Sequence, residues 1–105
     1  ERLGVPWDSL PFLQFFNTWR HLPNVKHLAF DLGQAAAVLM NVPSVRLYQD
    51  SIFVKRSGDG PTPWHVDARM APFDTSHMIT FWISLQENST DGLIFCSRSH
   101  SDFSL

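Results

Sequence analysis

The spacing of apolar residues changes near Val45, and this change limits the fold of the chain more than any other feature. Before it, apolar residues recur three and four positions apart, as on one face of a helix. After it, branched and aromatic residues form short runs bounded by glycine and proline, as in strands and turns. Helices followed by short strands favour an antiparallel β core with helical cover. We therefore predict helical cover in residues 1–42 and a β region in residues 43–105, together forming one incomplete domain.

Two apolar stripes predict the helices. The first stripe, expected to be buried, consists of Phe12, Phe15, Phe16 and Trp19. Residues 25–30 predict one or two further helical turns. Asp31, followed three positions later by Gln34, has the pattern of a capping box and predicts the start of the next helix. The second stripe, on that helix, consists of Leu32, Ala35, Ala36, Leu39 and Met40. Residues 41–44, which include a proline, predict its end.

Three segments of the second half have the composition of strands. Residues 45–55 and 77–85 are rich in branched and aromatic side chains, and residues 93–95 predict a short buried strand. In residues 77–85 alternate side chains form one apolar face and one mixed face, and Thr80 and Trp82 belong to the mixed face. A barrel or sandwich with a ligand inside would turn such a mixed face toward its pocket.

Composition excludes several classes of protein. With 105 residues, 44% of them hydrophobic, the chain is long enough for one small domain or part of a larger one. The formal net charge is −2 and the sequence has no basic run, so nothing suggests a nucleic-acid-binding surface. The longest apolar run, residues 35–40, is too short to span a bilayer. The single cysteine, Cys96, is compatible with a reducing compartment. Because the chain starts at Glu1 and its last residues do not resemble a natural end, we expect a segment of a longer protein.

The main candidate site is the His-x-Asp pair, His65 and Asp67, which follows a loop rich in glycine and proline. On an extended backbone, residues two apart point to the same face. An imidazole nitrogen and a carboxylate oxygen on one face are two of the three ligands in the 2-His-1-carboxylate triad that holds non-haem Fe(II). An isolated pair of this kind is more often a surface pair than a metal site. Its position at a loop edge between two predicted strands favours the metal site.

An ordered series of sequence blocks resembles the phytanoyl-CoA dioxygenase family. The series includes the His-x-Asp pair and the predicted strands on both sides of it, and a helical lead-in precedes it. The blocks are residues 25–31, 45–50, 53–55, 58–67, 72–75, 80–85, 92–95 and 97–100.

The resemblance implies a double-stranded β-helix, or cupin-like jelly roll, that is incomplete in this chain. It also implies an oxygenase that uses Fe(II) and 2-oxoglutarate to hydroxylate an unactivated C–H bond of a small-molecule or acyl substrate. His65 and Asp67 match the first two iron ligands of the family. Trp82 matches a position near the 2-oxoglutarate pocket, and Thr80 shares its face. Lys55 lies in the strand before the ligand loop, where it is either a cosubstrate ligand or a solvated lysine.

Two departures from the family pattern concern the site. Val66 stands between the two ligands, where the family often has glutamine, and residues 95–100 lack the usual Pro-Gly before Ser-His. His100 is not the expected third ligand, because it follows Asp67 by only 33 residues. The third ligand of this fold comes about five strands later, which requires roughly 40 residues or more. We expect the distal histidine, and the arginine that binds 2-oxoglutarate, to lie beyond Leu105.

Two other functions remain open at this point. The chain could be a non-catalytic relative, retained as a structural or interaction subunit of a larger assembly. The open sheet edges of a partial jelly roll would then be covered by a protein partner or by the rest of the chain. A cupin-like zinc site is the weaker alternative, because no further histidines stand at a suitable spacing.

Overall fold

A computed structural model describes Pro6 and residues 9–75, 77–87 and 92–101. Within these ranges the chain forms a two-stranded antiparallel sheet and few helices. It divides into two compact units, one ending at Thr62 and the other beginning at Pro63, which we call the first and second unit. The predicted division at residue 43 stays a prediction. No helix in the described ranges has the length and apolar character needed to cross a bilayer.

The sheet of the first unit pairs β1 (Leu13–Phe16) with β2 (Ser51–Val54). The strands are antiparallel, and their register sets Leu13 opposite Val54 and Phe16 opposite Ser51. The ring of Phe12, the residue before β1, lies 5.7 Å from the ring of Phe53 in β2, centroid to centroid. The prediction of a helix with these phenylalanines on one face is wrong. Among residues 12–19 of the predicted stripe, the only helical residues belong to a short 3₁₀ turn, Thr18–Arg20, that follows β1.

One helix, α1 (Pro23–Leu39), spans both segments that the sequence predicted as separate helices. Pro23 occupies its first turn, where proline costs no hydrogen bond. The predicted start at Asp31 is therefore wrong, because Asp31 and Gln34 are exposed residues in the middle of the helix. The predicted end is confirmed. Asn41 adopts a left-handed conformation, with φ of 52°.

Hydrogen bonds show how that end is built. The Asn41 N–H donates to the carbonyl of Val38, and the Val42 N–H donates to the carbonyl of Ala37. This is the Schellman arrangement, in which two residues beyond the helix satisfy carbonyls of its last turn. Asparagine suits the position because it tolerates the left-handed region better than most residues.

Asp50 joins the 3₁₀ turn to the start of β2. Its carboxylate accepts hydrogen bonds from the N–H groups of Thr18 and Trp19, each at 3.0 Å, and from the Thr18 hydroxyl. Its carbonyl accepts a further bond from the Asn17 N–H at 2.9 Å. One aspartate thus ties two segments that are 32 residues apart in sequence.

A turn closed by Arg56 and Asp59 follows β2. The Arg56 N–H donates to the Asp59 carboxylate at 2.8 Å, and the guanidinium contacts the same carboxylate and the carbonyl of Leu10. Gly58 lies inside the turn at φ of 91°, a conformation that favours glycine. The Arg56 N–H, and after it the guanidinium, lower the pKa of Asp59 below its ordinary value of 3.8.

This shift predicts a pH dependence of stability. Because the folded pKa is depressed, the stabilisation by Asp59 is present above pH 3.8 and is lost as the pH falls through the lowered folded pKa. The difference in unfolding free energy between the wild type and Asp59→Asn should therefore shrink on acidification, as measured by urea unfolding across that range. Arg56→Lys should weaken the effect only in part, because the backbone N–H remains. A difference independent of pH would contradict this role.

The predicted strands of the second half are only partly present. β2 covers four residues of the predicted 45–55 segment, and neither 77–85 nor 93–95 is a strand. Leu93, Ile94 and Phe95 are exposed, so the prediction of a buried strand there is wrong. A mainly β chain is likewise not what the described ranges show, since α1 has 17 residues and each strand has four. A jelly roll is not visible in this part of the chain.

Candidate metal centre

The His-x-Asp pair stands near the start of the second unit. The backbone is extended at Val66, with φ −116° and ψ 120°, and a single helical turn, α2 (Asp67–Met70), begins at the next residue. An extended residue directs its two neighbours to one side and its own side chain to the other. Val66 is buried, with 7% of its surface exposed, whereas the side chains of His65 and Asp67 are 42% and 44% exposed. The side chains of His65 and Asp67 therefore lie on the solvent side of this segment, and the buried Val66 side chain holds the backbone between them in place.

The two side chains converge as their spacing predicts. Nε2 of His65 lies 3.2 Å from Oδ1 of Asp67. Two atoms bound to one octahedral ion at about 2.1 Å, and about 90° apart, are roughly 3 Å from each other. Imidazole nitrogen and carboxylate oxygen are also the donor types of non-haem iron sites. The pair therefore fits adjacent positions on one metal ion.

A third ligand does not join the pair within the described ranges. No group of three or more histidine, cysteine, aspartate or glutamate side chains in these ranges could hold a metal ion. His77 and His100 are exposed elsewhere in the second unit. The prediction that the third ligand comes from sequence after Leu105 stays a prediction.

An open groove of about 440 Å³ in the second unit includes one of the two ligands. Its walls come from Asp67 and from two pairs of side chains: Thr80 with Trp82, and Leu93 with Phe95. In each pair the members are two positions apart, which is the alternation of an extended backbone. Thr80 and Trp82, selected from sequence as cosubstrate residues, thus share a groove with Asp67. That Thr80 and Trp82 bind 2-oxoglutarate stays a prediction.

Leu93 and Phe95 are groove residues that sequence reasoning missed. They were expected to fill a buried strand, and the only signal for a shared face was their spacing of two. Together with Trp82 they make the walls largely apolar. An apolar wall beside polar ligands is typical of small-molecule sites.

Lys55, the third predicted cosubstrate residue, belongs to the first unit. Its ammonium donates to the Gly60 carbonyl at 2.9 Å and lies 5.6 Å from the centroid of the Phe12 ring. These contacts hold Lys55 to its own loop and to Phe12, the residue before β1. Its role toward a cosubstrate stays a prediction.

Comparison with known families decides what kind of protein carries this pair. The sequence profile described as phytanoyl-CoA dioxygenase matches residues 13–101, which is most of the chain. The chain belongs to the phytanoyl-CoA dioxygenase family. The resemblance found in the sequence blocks is thereby confirmed. Neither a curated protein nor a solved structure shows a significant match.

Membership gives the pair a chemical context. The phytanoyl-CoA dioxygenase family is a dioxygenase-like family whose members generally depend on Fe(II) and 2-oxoglutarate. The matched range includes both candidate ligands and the groove residues Thr80, Trp82, Leu93 and Phe95.

Proposed function

We propose that this chain contributes the first two iron ligands, His65 and Asp67, of an Fe(II)- and 2-oxoglutarate-dependent oxygenase. The observation that carries the proposal is the convergence of Nε2 and Oδ1 to 3.2 Å beside a groove that Asp67 itself lines. A distal histidine of the full-length protein would complete the triad, and a distal arginine would bind the far carboxylate of 2-oxoglutarate.

Each residue near the pair has a part in this proposal. His65 and Asp67 bind the cation, and the carboxylate offsets part of its charge. Bound iron, with 2-oxoglutarate, supplies the oxidising chemistry that hydroxylates an unactivated C–H bond. The Thr80 hydroxyl donates a hydrogen bond to a cosubstrate carboxylate. Trp82, Leu93 and Phe95 give the groove an apolar wall, which would exclude water and strengthen polar interactions inside it once further polypeptide covers the groove.

The fold proposed for the complete protein is a jelly roll. Two segments of the second unit already present alternate side chains to one groove, as neighbouring strands of such a fold do. Exposed apolar side chains support the need for further cover, since Ile94 and Phe95 are 78% and 80% exposed. We propose that the remainder of the chain, or a protein partner, covers them.

The alternative function is a non-catalytic member of the family that serves as a structural or interaction subunit. What favours it is that only two candidate ligands converge in the described part of the chain. The two functions differ in one property, which is whether the full-length protein binds iron and 2-oxoglutarate together.

Anaerobic titration of the full-length protein tests this property. Adding 2-oxoglutarate to the Fe(II)-loaded protein should produce a visible charge-transfer band if both bind at the site of His65 and Asp67. Protein with 2-oxoglutarate but without Fe(II) is the control and should stay colourless. A folded full-length protein that gives no band with both additions would favour the non-catalytic subunit.

A further inference from the structure

The ring nitrogen of His65 that does not face Asp67 has a contact of its own. Nδ1 lies 2.8 Å from the carbonyl oxygen of Pro63. A carbonyl oxygen only accepts hydrogen bonds, and proline has no N–H that could reverse the roles. The proton in this bond must therefore be on Nδ1 of His65.

This contact decides which nitrogen can bind a metal. A neutral imidazole carries one N–H and one lone pair. With the proton on Nδ1, the lone pair is on Nε2, the atom that lies 3.2 Å from Asp67 Oδ1. Nε2 and the carboxylate oxygen therefore lie at the spacing of two neighbouring ligands of one cation.

We propose that Pro63 is a positioning residue whose carbonyl fixes the tautomer and the ring orientation of His65, so that Nε2 is presented to the metal. This inference rests on the proposed function. A partner that holds the remote nitrogen is a common feature of metal-binding histidines. Here that partner is two residues away in sequence, within the loop itself.

The choice of proline follows from the same geometry. Its ring fixes φ near −65°, and it restricts the preceding residue, Thr62, to extended conformations. The direction of the Pro63 carbonyl is therefore set by few free angles. Another residue at this position keeps the carbonyl but not its orientation, so the loop would have to order itself when metal binds.

The first test is the tautomer of His65 in the full-length protein with ¹⁵N-labelled histidine. In metal-free protein, at a pH of about 8.5 where imidazole is ordinarily neutral, NMR should place the proton on Nδ1. With Zn(II) as a diamagnetic probe, the spectrum should show Nε2 coordinated and Nδ1 still protonated. A proton on Nε2 in the metal-free protein, or coordination through Nδ1, would overturn the inference.

The second test compares two prolines of one loop. Pro63→Gly should weaken Zn(II) binding by about 10-fold, at the low end of what losing an orienting partner costs, and should raise the population with the proton on Nε2. Pro61→Gly is the matched control, because Pro61 is also exposed but the acceptor of the His65 bond is the carbonyl of Pro63. Equal affinity and an unchanged tautomer in Pro63→Gly would overturn the inference.

The outcomes separate this inference from the function on which it rests. If the wild type binds no metal, the proposed function fails, while the tautomer of the metal-free protein still decides the role of Pro63. If the wild type binds through Nε2 and Pro63→Gly is indistinguishable from it, only the positioning role fails. Circular dichroism of both glycine variants establishes that they are folded.

Discussion

Asp67→Asn is expected to weaken Fe(II) binding by the full-length protein more than about 100-fold. Groups that only orient a metal ligand are worth about 10- to 100-fold in affinity, and Asp67 is a proposed ligand. Asparagine keeps the shape of the side chain but removes its negative charge. Since the Asp67 side chain is 44% exposed, the substitution should leave folding intact. Anaerobic isothermal titration calorimetry with Fe(II) measures the loss.

Two matched variants make this result specific. Asp74→Asn removes the same charge from an exposed aspartate of the second unit and should bind iron as the wild type does. His65→Ala should lose binding like Asp67→Asn, whereas His77→Ala should not. If Asp67→Asn and Asp74→Asn had the same affinity for iron, the pair would not be the metal site.

Asp50→Ala is expected to lower the free energy of unfolding by about 2–3 kcal/mol. The substitution removes acceptors from two backbone N–H groups and one hydroxyl at the 3₁₀ turn. Those donors lie in a half-buried region where water replaces the aspartate only in part. Urea unfolding of the full-length protein, followed by tryptophan fluorescence, measures the change because Trp19 is in the turn.

A conservative replacement sharpens this prediction. Asp50→Asn should also be destabilising, because both carboxylate oxygens accept hydrogen bonds and an amide offers only one oxygen. Asp31→Ala is the control, since Asp31 is exposed in the middle of α1. Equal stability of Asp50→Ala and Asp31→Ala would show that the turn does not depend on this carboxylate.

Local patterns predicted the end of α1 but not its start. Asn41 ends the helix through its own backbone preference, which a sequence shows directly, whereas the helix starts at Pro23, eight residues before the predicted cap at Asp31. The phenylalanines before this helix have helical spacing but form β1. Aromatic residues are enriched in strands, and pairing with β2, some 40 residues later, stabilises this segment as a strand. A local window of sequence contains no information about that partner.

The geometry of the His-x-Asp pair was more predictable than the fold around it. The spacing of two in His65-Val66-Asp67 already fixes a shared direction on any extended backbone. The same rule brought Thr80 and Trp82 to one groove although their segment forms no strand in the described ranges. The Pro63 contact was not predictable, because it depends on the angle of one carbonyl rather than on a residue type.

The scarcity of buried side chains has a consequence for how the protein is made. In the described ranges only Ala36 and Val66 are buried apolar residues, while large side chains such as Phe30 and Val38 are exposed on α1. As this span leaves the ribosome, these apolar surfaces face solvent. Nascent chains in such a state aggregate readily and are typical clients of chaperones. Recovery of soluble protein should therefore depend on chaperone supply during synthesis, whether or not iron is supplied.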